Sequence, residues 1–427
     1  MSFLLATFTK SNLLMKILHT ADWHLGQTFY DNDRTIEHEA FLTWLFETIQ
    51  EQKIDVVLVS GDVYDNSNPS NKAISMLYQF LQKVSNQLPL VQFIFTGGNH
   101  DSALRLEQPI PLLQHTNIKI VGNSKLNVDK TIRYEDLVFR LNDPNNGPDV
   151  ICMAVPFLRL GEYPANESGI YDYQSGIKKY YEQCFEVAKQ MATQNEAIIA
   201  MGHLHALGIK INDRDTSERD IIGGIEMISA SDFPAELAYV ALGHIHKAQK
   251  VGGQNHIRYC GSPIPLSFSE KNYKHQVLLL DIDSKLNSIE SLEIPVLIPL
   301  LTIPEKPGNL EQIMLHLDRL QYELADAKIK PYVEVQINIT NTNMGISEEI
   351  KQKFNSINAK LVKITPAKVV ENRTNSDPNF QEIEYLDQIK PLEFIEKIIF
   401  QKSSEPLKTS QLNKINLVLN ELANTKV

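Results

Sequence analysis

Five short clusters of acidic, amide and imidazole side chains punctuate this sequence, each placed behind an apolar run. They are Asp22-Trp23-His24, Gly61-Asp62-Val63-Tyr64-Asp65, Gly98-Asn99-His100-Asp101, Gly202-His203 and Gly243-His244-Ile245-His246. Imidazole mixed with carboxylate suits manganese, iron or zinc, whereas magnesium favours oxygen donors. Two cations held ~3.5–4 Å apart activate a shared water and clamp a phosphoryl oxygen during in-line displacement. About seven protein donors, one of them a bridging carboxylate, serve two such cations and leave positions for water and substrate. The glycines permit sharp turns and close backbone approach, and Asp65 is placed to brace its own loop. A single Asp-x-His means little; five clusters in series make a hypothesis that geometry must close.

Hydrophobic patterning shows which elements have to carry these side chains. Residues 54–59 (IDVVLV), 91–96 (VQFIFT), 197–201 (AIIAM) and 237–242 (LAYVAL) read as buried strands, and Met15 opens another (MKILHT). Residues 35–50 and 71–85 carry apolar side chains at helical spacing. Strands alternating with helices imply an α/β core. In open α/β sheets ligands bind beyond the carboxyl ends of strands, so loops distant in sequence are expected to meet at one sheet edge.

The pattern changes after residue 288. Residues 289–304 read as a connector, 309–324 and 348–357 as helices, and 360–364 as a strand. Residues 332–340 alternate strictly, with Val333, Val335, Ile337 and Ile339 on one face, which predicts a half-buried strand. The expected organisation is an extension over 1–14, an α/β domain over 15–288, a small α+β domain over 289–382 ending in a polar linker at 371–382, and a helical segment over 386–427. Leu392, Ile395 and Ile399 line one terminal helix, and Leu412, Ile415, Leu419 and Leu422 the other. An amphipathic stripe ordinarily packs on its own domain; placed behind a polar linker, these faces suit a partner.

In type, order and placement the clusters resemble the calcineurin-like metallophosphoesterases over roughly 270 residues. The resemblance implies a sandwich core of the α/β class, with the region after 288 as a capping domain and the last segment as a helical tail. It also implies two metals, one held by Asp22, His24, Asp62 and His246, the other by Asp62, Asn99, His203 and His244, with Asp62 bridging. His100 is expected to meet the scissile phosphate or protonate the leaving oxygen. Asp101 is expected either to orient and charge that imidazole, as carboxylates behind histidines do, or, with equal weight, to stabilise its own loop. His205 competes with His203, since strand alternation puts both on one face; the motif favours His203. The remaining members of the 12 histidines, His19, His38, His115, His256, His275 and His316, are assigned to structure.

Further segments resemble one branch of that superfamily, the SbcD-type nuclease subunits. They are 15–27 (MKILHTADWHLGQ), 37–44 (EHEAFLTW), 155–159 (VPFLR), 241–247 (ALGHIHK) and above all 257–268 (IRYCGSPIPLSF), which carries no metal ligand. The branch implies manganese-dependent cleavage of DNA: 3′-to-5′ exonuclease action on duplex ends and endonuclease action on single strands and hairpins, in repair, recombination and replication. It implies an SbcC-type coiled-coil ATPase as partner, docked on the tail, and a homodimer of nuclease subunits within a heterotetramer.

Composition fits an enzyme of this kind. The net charge of −11 is the wrong sign for a protein that grips a duplex unaided, so bound cations and a partner must supply positive charge. Otherwise the substrate is a small phosphoester or a phosphoprotein. Cys152, Cys184 and Cys260 are odd in number and widely spaced, which argues against a disulfide framework or thiolate zinc site and suits a reducing cytoplasm. No apolar run approaches the ~20 residues of a membrane span, and no cleavage pattern follows the first 14 residues.

Overall fold

Runs such as Val56–Ser60 are apolar at every position but the last because both of their faces are covered. Val56 and Leu58 enter one hydrophobic core, and Val57 and Val59 enter another on the opposite side of the sheet, as the two-residue period of a strand requires. A computed structural model of the chain describes residues 14–165, 169, 171–207, 227–338 and 345–367. The described residues all fall within one unit, Met1–Val369. The expected extension before residue 14, the linker at 371–382 and the terminal helices at 386–427 lie outside the described residues.

Two six-stranded sheets form the main body. The first runs in the order Leu286–Glu293, Gln276–Ile282, Met15–Thr20, Val56–Ser60, Gln92–Thr96, Ile118–Val121. Its last four strands are parallel, and its first two are joined to them antiparallel. The second runs Gln249–Lys250, Ile257–Tyr259, Tyr239–Gly243, Ala197–His203, Val150–Ala154, Val138–Leu141, with a parallel centre and antiparallel edges.

Side chains from both sheets share one core, in which Ile17, Val56 and Leu58 join Ile151, Ile199 and Val240. Helix Tyr173–Met191 covers the second sheet through Tyr180, Tyr181 and Phe185, and helices Thr35–Gln52 and Asn71–Gln87 cover the first. The result is a sandwich of helix, sheet, sheet and helix, the α/β class expected.

The chain leaves the first sheet after Glu293, beyond the expected boundary at 288. A three-stranded parallel sheet follows, Leu300–Gly308, Tyr332–Asn338 and Lys360–Ala367, backed by helices Leu310–Glu323 and Gly345–Phe354 around Ile313, Leu317, Val333, Val335 and Ile350. Tyr332–Asn338 is central and covered on both faces, not half-buried as its alternation predicts: Glu334 and Gln336 are themselves buried. Glu334 is accommodated because it accepts hydrogen bonds from Thr302 and Thr365 on the flanking strands. This sheet meets the rest of the unit where Tyr332 stacks on Phe29, 5.4 Å between rings, beside Phe268. No helix among the described residues is long and apolar enough to cross a membrane, and all three cysteines are buried and free.

Candidate metal centre

Each of the five clusters sits at the carboxyl end of a strand, and the two sheets bring those ends together. Asp22, Asp62 and Asn99 follow Met15–Thr20, Val56–Ser60 and Gln92–Thr96 of the first sheet. His203 ends Ala197–His203 of the second, and His244 and His246 follow Tyr239–Gly243. Hydrogen bonds tie the loops to one another: Asp22 N–H donates to Gly61 O (3.0 Å), His24 N–H to Asp62 O (3.0 Å), and His244 N–H crosses between sheets to Asp22 Oδ1 (2.8 Å).

The turns are tight enough to hold four non-glycine residues in the left-handed region: Asp22 (φ 54°), His24 (φ 46°), Asp62 (φ 48°) and His244 (φ 98°). Such conformations cost ~1–3 kcal/mol each and gather at functional sites. Gly98 is needed for a different reason, since a Cβ there would run into the Asp62 carboxylate.

Donor atoms converge in two overlapping groups. Asp22, His24 and His246 each place a ligand atom within 4.8 Å of the others, and so do Asp62, His203 and His244. Asp62 stands between them, its Oδ2 3.6 Å from His24 Nε2 and 3.2 Å from His203 Nε2. Asn99 Oδ1 lies 2.9 Å from His203 Nε2 and 3.1 Å from His244 Nδ1. All of the expected ligands, Asp22, His24, Asp62, Asn99, His203, His244 and His246, therefore share one site. A third group, His24, Asp65 and His100, adjoins it. His205 joins none of these groups among the described residues; its ring lies 5.9 Å from that of His244.

The site's electrostatics are those of closely packed, buried charge. Burial pushes Asp22 up. Burial also opposes ionisation of Asp62, but His203 and His24 beside it hold its carboxyl well below the usual range. Burial pulls His203 down, yet Asp62 and Asp22 raise it to about 9. Burial and the neighbouring His203 drive His244 well below the imidazole range. Asp22 Oδ2 and His24 Nε2 are buried without a hydrogen-bond partner. Buried polar atoms ordinarily have one, and a mixed imidazole–carboxylate pocket with such donors fits a divalent transition metal.

His100 and Asp101, adjacent in sequence, have different surroundings. Asp101, 2% exposed, accepts the N–H groups of Val63 (3.0 Å), Tyr64 (2.9 Å) and Gly98 (2.9 Å). It fastens the loop after Val56–Ser60 to the loop after Gln92–Thr96, and burial together with the Asp62 charge pushes it up to about 6. His100 Nδ1 lies 2.7 Å from the carbonyl oxygen of Asp65. Asp65 does more than brace a loop, since its Oδ1 also lies 3.2 Å from His24 Nδ1.

Sequence reasoning missed the groups behind the other histidines. Ser60 O accepts from His203 Nδ1 (3.0 Å), and Glu270 faces His246 Nδ1 (3.0 Å). The one available signal was the segment 257–268, which carries no ligand yet ends two residues short of Glu270.

Comparison with known proteins agrees with this geometry. The profile of the family described as calcineurin-like phosphoesterase matches residues 15–248. The SbcD subunit of the nuclease SbcCD from Escherichia coli (strain K12) is 35% identical over 335 residues, 76% of this chain and 78% of that protein. The SbcD protein of Rhodobacter capsulatus is 34% identical over 72% of this chain and 76% of its own length, and that of Bacillus subtilis 30% identical over 62% and 66%. With strands that deliver seven donors to one edge, a family profile covering all of those strands and relatives matched over most of their length, the chain belongs to the calcineurin-like phosphoesterases and, within them, to the SbcD family of SbcCD nuclease subunits.

Proposed function

We propose that this chain cuts the DNA backbone with two divalent cations, Mn²⁺ being the best fit to the donors, as the nuclease subunit of an SbcCD-type complex. Membership of the family makes it a metal-dependent nuclease subunit and a hydrolase of phosphodiester bonds. The observation that carries the two-cation reading is Asp62, whose single Oδ2 faces His24 on one side and His203 on the other. Asp22, His24 and His246 complete one position around it, and Asn99, His203 and His244 the other.

Bound cations supply a water activated for attack and neutralise charge on the phosphoryl oxygens. The chain's own part is positional and protonic. Asp62 Oδ1 accepts the His100 N–H (2.8 Å), which sets His100 beside the centre with its ring 4.9 Å from that of His24. With Nδ1 facing the Asp65 carbonyl, Nε2 is the ring atom proposed to meet the phosphate or to hand a proton to the leaving oxygen. Asp101 serves this chemistry by holding the two loops together.

The finer reading includes 3′-to-5′ exonuclease action on duplex ends and endonuclease action on single strands and hairpins. An SbcC-type ATPase governs access to duplex and docks on residues 386–427, in a heterotetramer built on a homodimer of nuclease subunits. Buried, unpaired cysteines are in keeping with a reducing cytoplasm. The test is a hairpin duplex incubated with purified chain, with and without Mn²⁺. Nicking of the hairpin only with the metal is expected. A preparation that hydrolyses a small phosphodiester but leaves every DNA substrate whole would overturn the reading.

A further inference from the structure

We propose that Glu270 is a positioning residue for the metal centre, fixing the His246 imidazole so that Nε2 is presented to Asp22 and His24. The inference rests on the reading of that cluster as a metal site. Glu270 is fully buried, and its Oε1 lies 3.0 Å from His246 Nδ1. A carboxylate at this distance accepts a hydrogen bond from Nδ1–H, fixes the tautomer and turns the Nε2 lone pair toward a cation, as carboxylates behind ligating histidines do.

The carboxylate is itself held. Glu270 Oε2 accepts the N–H of Leu266 (2.8 Å) and shares the hydroxyl of Ser262 (3.3 Å) with Ile264 O (3.0 Å), while Ser262 N–H returns to the carbonyl of His246 (3.1 Å). One loop thus grips His246 by ring and by backbone. That loop is anchored in turn by Arg34, which is fully buried and donates to Pro265 O (2.5 Å) and Gln27 Oε1 (2.9 Å) while pairing with both oxygens of Glu37. Gln27 Nε2 closes the circuit on Leu266 O (3.3 Å). Segments 15–27, 37–44 and 257–268, of which only the first holds metal ligands, therefore meet behind one metal-facing histidine.

The experiment is a Mn²⁺ titration by calorimetry on the full chain, for wild type, Glu270→Gln, His246→Ala and the double variant, with metal-free thermal melting of each. Glu270→Gln is expected to weaken one of two Mn²⁺ sites by ~10–100-fold and leave the other unchanged. In the His246→Ala background the same substitution is expected to cause no further loss, because Glu270 acts through that ring. Unchanged Mn²⁺ affinity in Glu270→Gln, or an additive loss in the double variant, would overturn the proposal and mark Glu270 as a purely structural residue. A wild-type chain that takes up no Mn²⁺ would instead remove the metal reading beneath it. Should Glu270→Gln fail to fold, Ser262→Ala loosens the carboxylate while keeping its charge. A weakening of the same site is then expected, and unaltered affinity would count against the role.

Discussion

Asp101 accepts the backbone N–H of Gly98 at 2.9 Å, and so joins the loop that carries Asn99 to the loop that carries Asp62. Removing this carboxylate strands three buried N–H donors, each worth ~1–3 kcal/mol when unsatisfied. Asp101→Ala is expected to lower unfolding free energy by at least ~3 kcal/mol and to weaken Mn²⁺ binding. Urea unfolding with and without Mn²⁺ checks both; full stability with selective loss of cleavage would instead point to direct contact with substrate.

Asp62 and His100 should separate metal binding from chemistry. Asp62→Asn removes the shared oxygen's charge, and both cations are expected to be lost along with activity. His100→Ala leaves every proposed ligand in place and is expected to keep both cations while slowing cleavage by ~10²–10⁴-fold. Metal content by atomic emission, read beside a nuclease assay, decides; loss of metal from His100→Ala would contradict its role.

Gly98→Ala tests the closeness of the loops without touching a ligand. The added methyl would collide with the Asp62 carboxylate, so the bridging group must move. Mn²⁺ affinity is expected to fall by at least ~10-fold, in keeping with other disturbances immediately around a metal. An unaltered titration would show that Asp62 has room the geometry denies it.

Acid should destabilise the chain through histidines that hold no metal. Burial lowers both His19 and His38 to about 3. Each stays neutral in the folded chain down to that pH, whereas in the unfolded chain it takes a proton below its ordinary 6.5. The unfolded state therefore binds more protons between pH 6.5 and 3, and stability falls as pH is lowered through that window, by ~1.4 kcal/mol per pH unit for each histidine. Denaturant midpoints at about pH 7, 5.5 and 4.5 are expected to fall less steeply for His38→Leu than for wild type. Parallel slopes would show that His38 does not contribute.

The seven clustered side chains were legible because each lies at or just past the end of a strand whose apolar run is unmistakable, and strand ends of an α/β sheet share an edge. His203 and His205 could not be separated by alternation; in the structure the strand stops at His203, so the regular spacing does not extend to His205. The three N–H groups that Asp101 accepts were not legible, because they come from two loops, a convergence no local pattern encodes. Glu270 lay outside every motif, 24 residues beyond the histidine it faces. In the small sheet, alternation along 332–340 concealed a central strand, because Glu334 finds hydroxyl partners on both neighbours.

The donors hang from different layers: Asp22, Asp62 and Asn99 from one sheet, His203, His244 and His246 from the other. Cations held there as proposed would act as rivets through the seam of the sandwich, pinning at its rim two leaves that apolar side chains glue together deeper down. Chelation would then do two things at once, stopping turnover and unpinning the leaves where they meet the substrate.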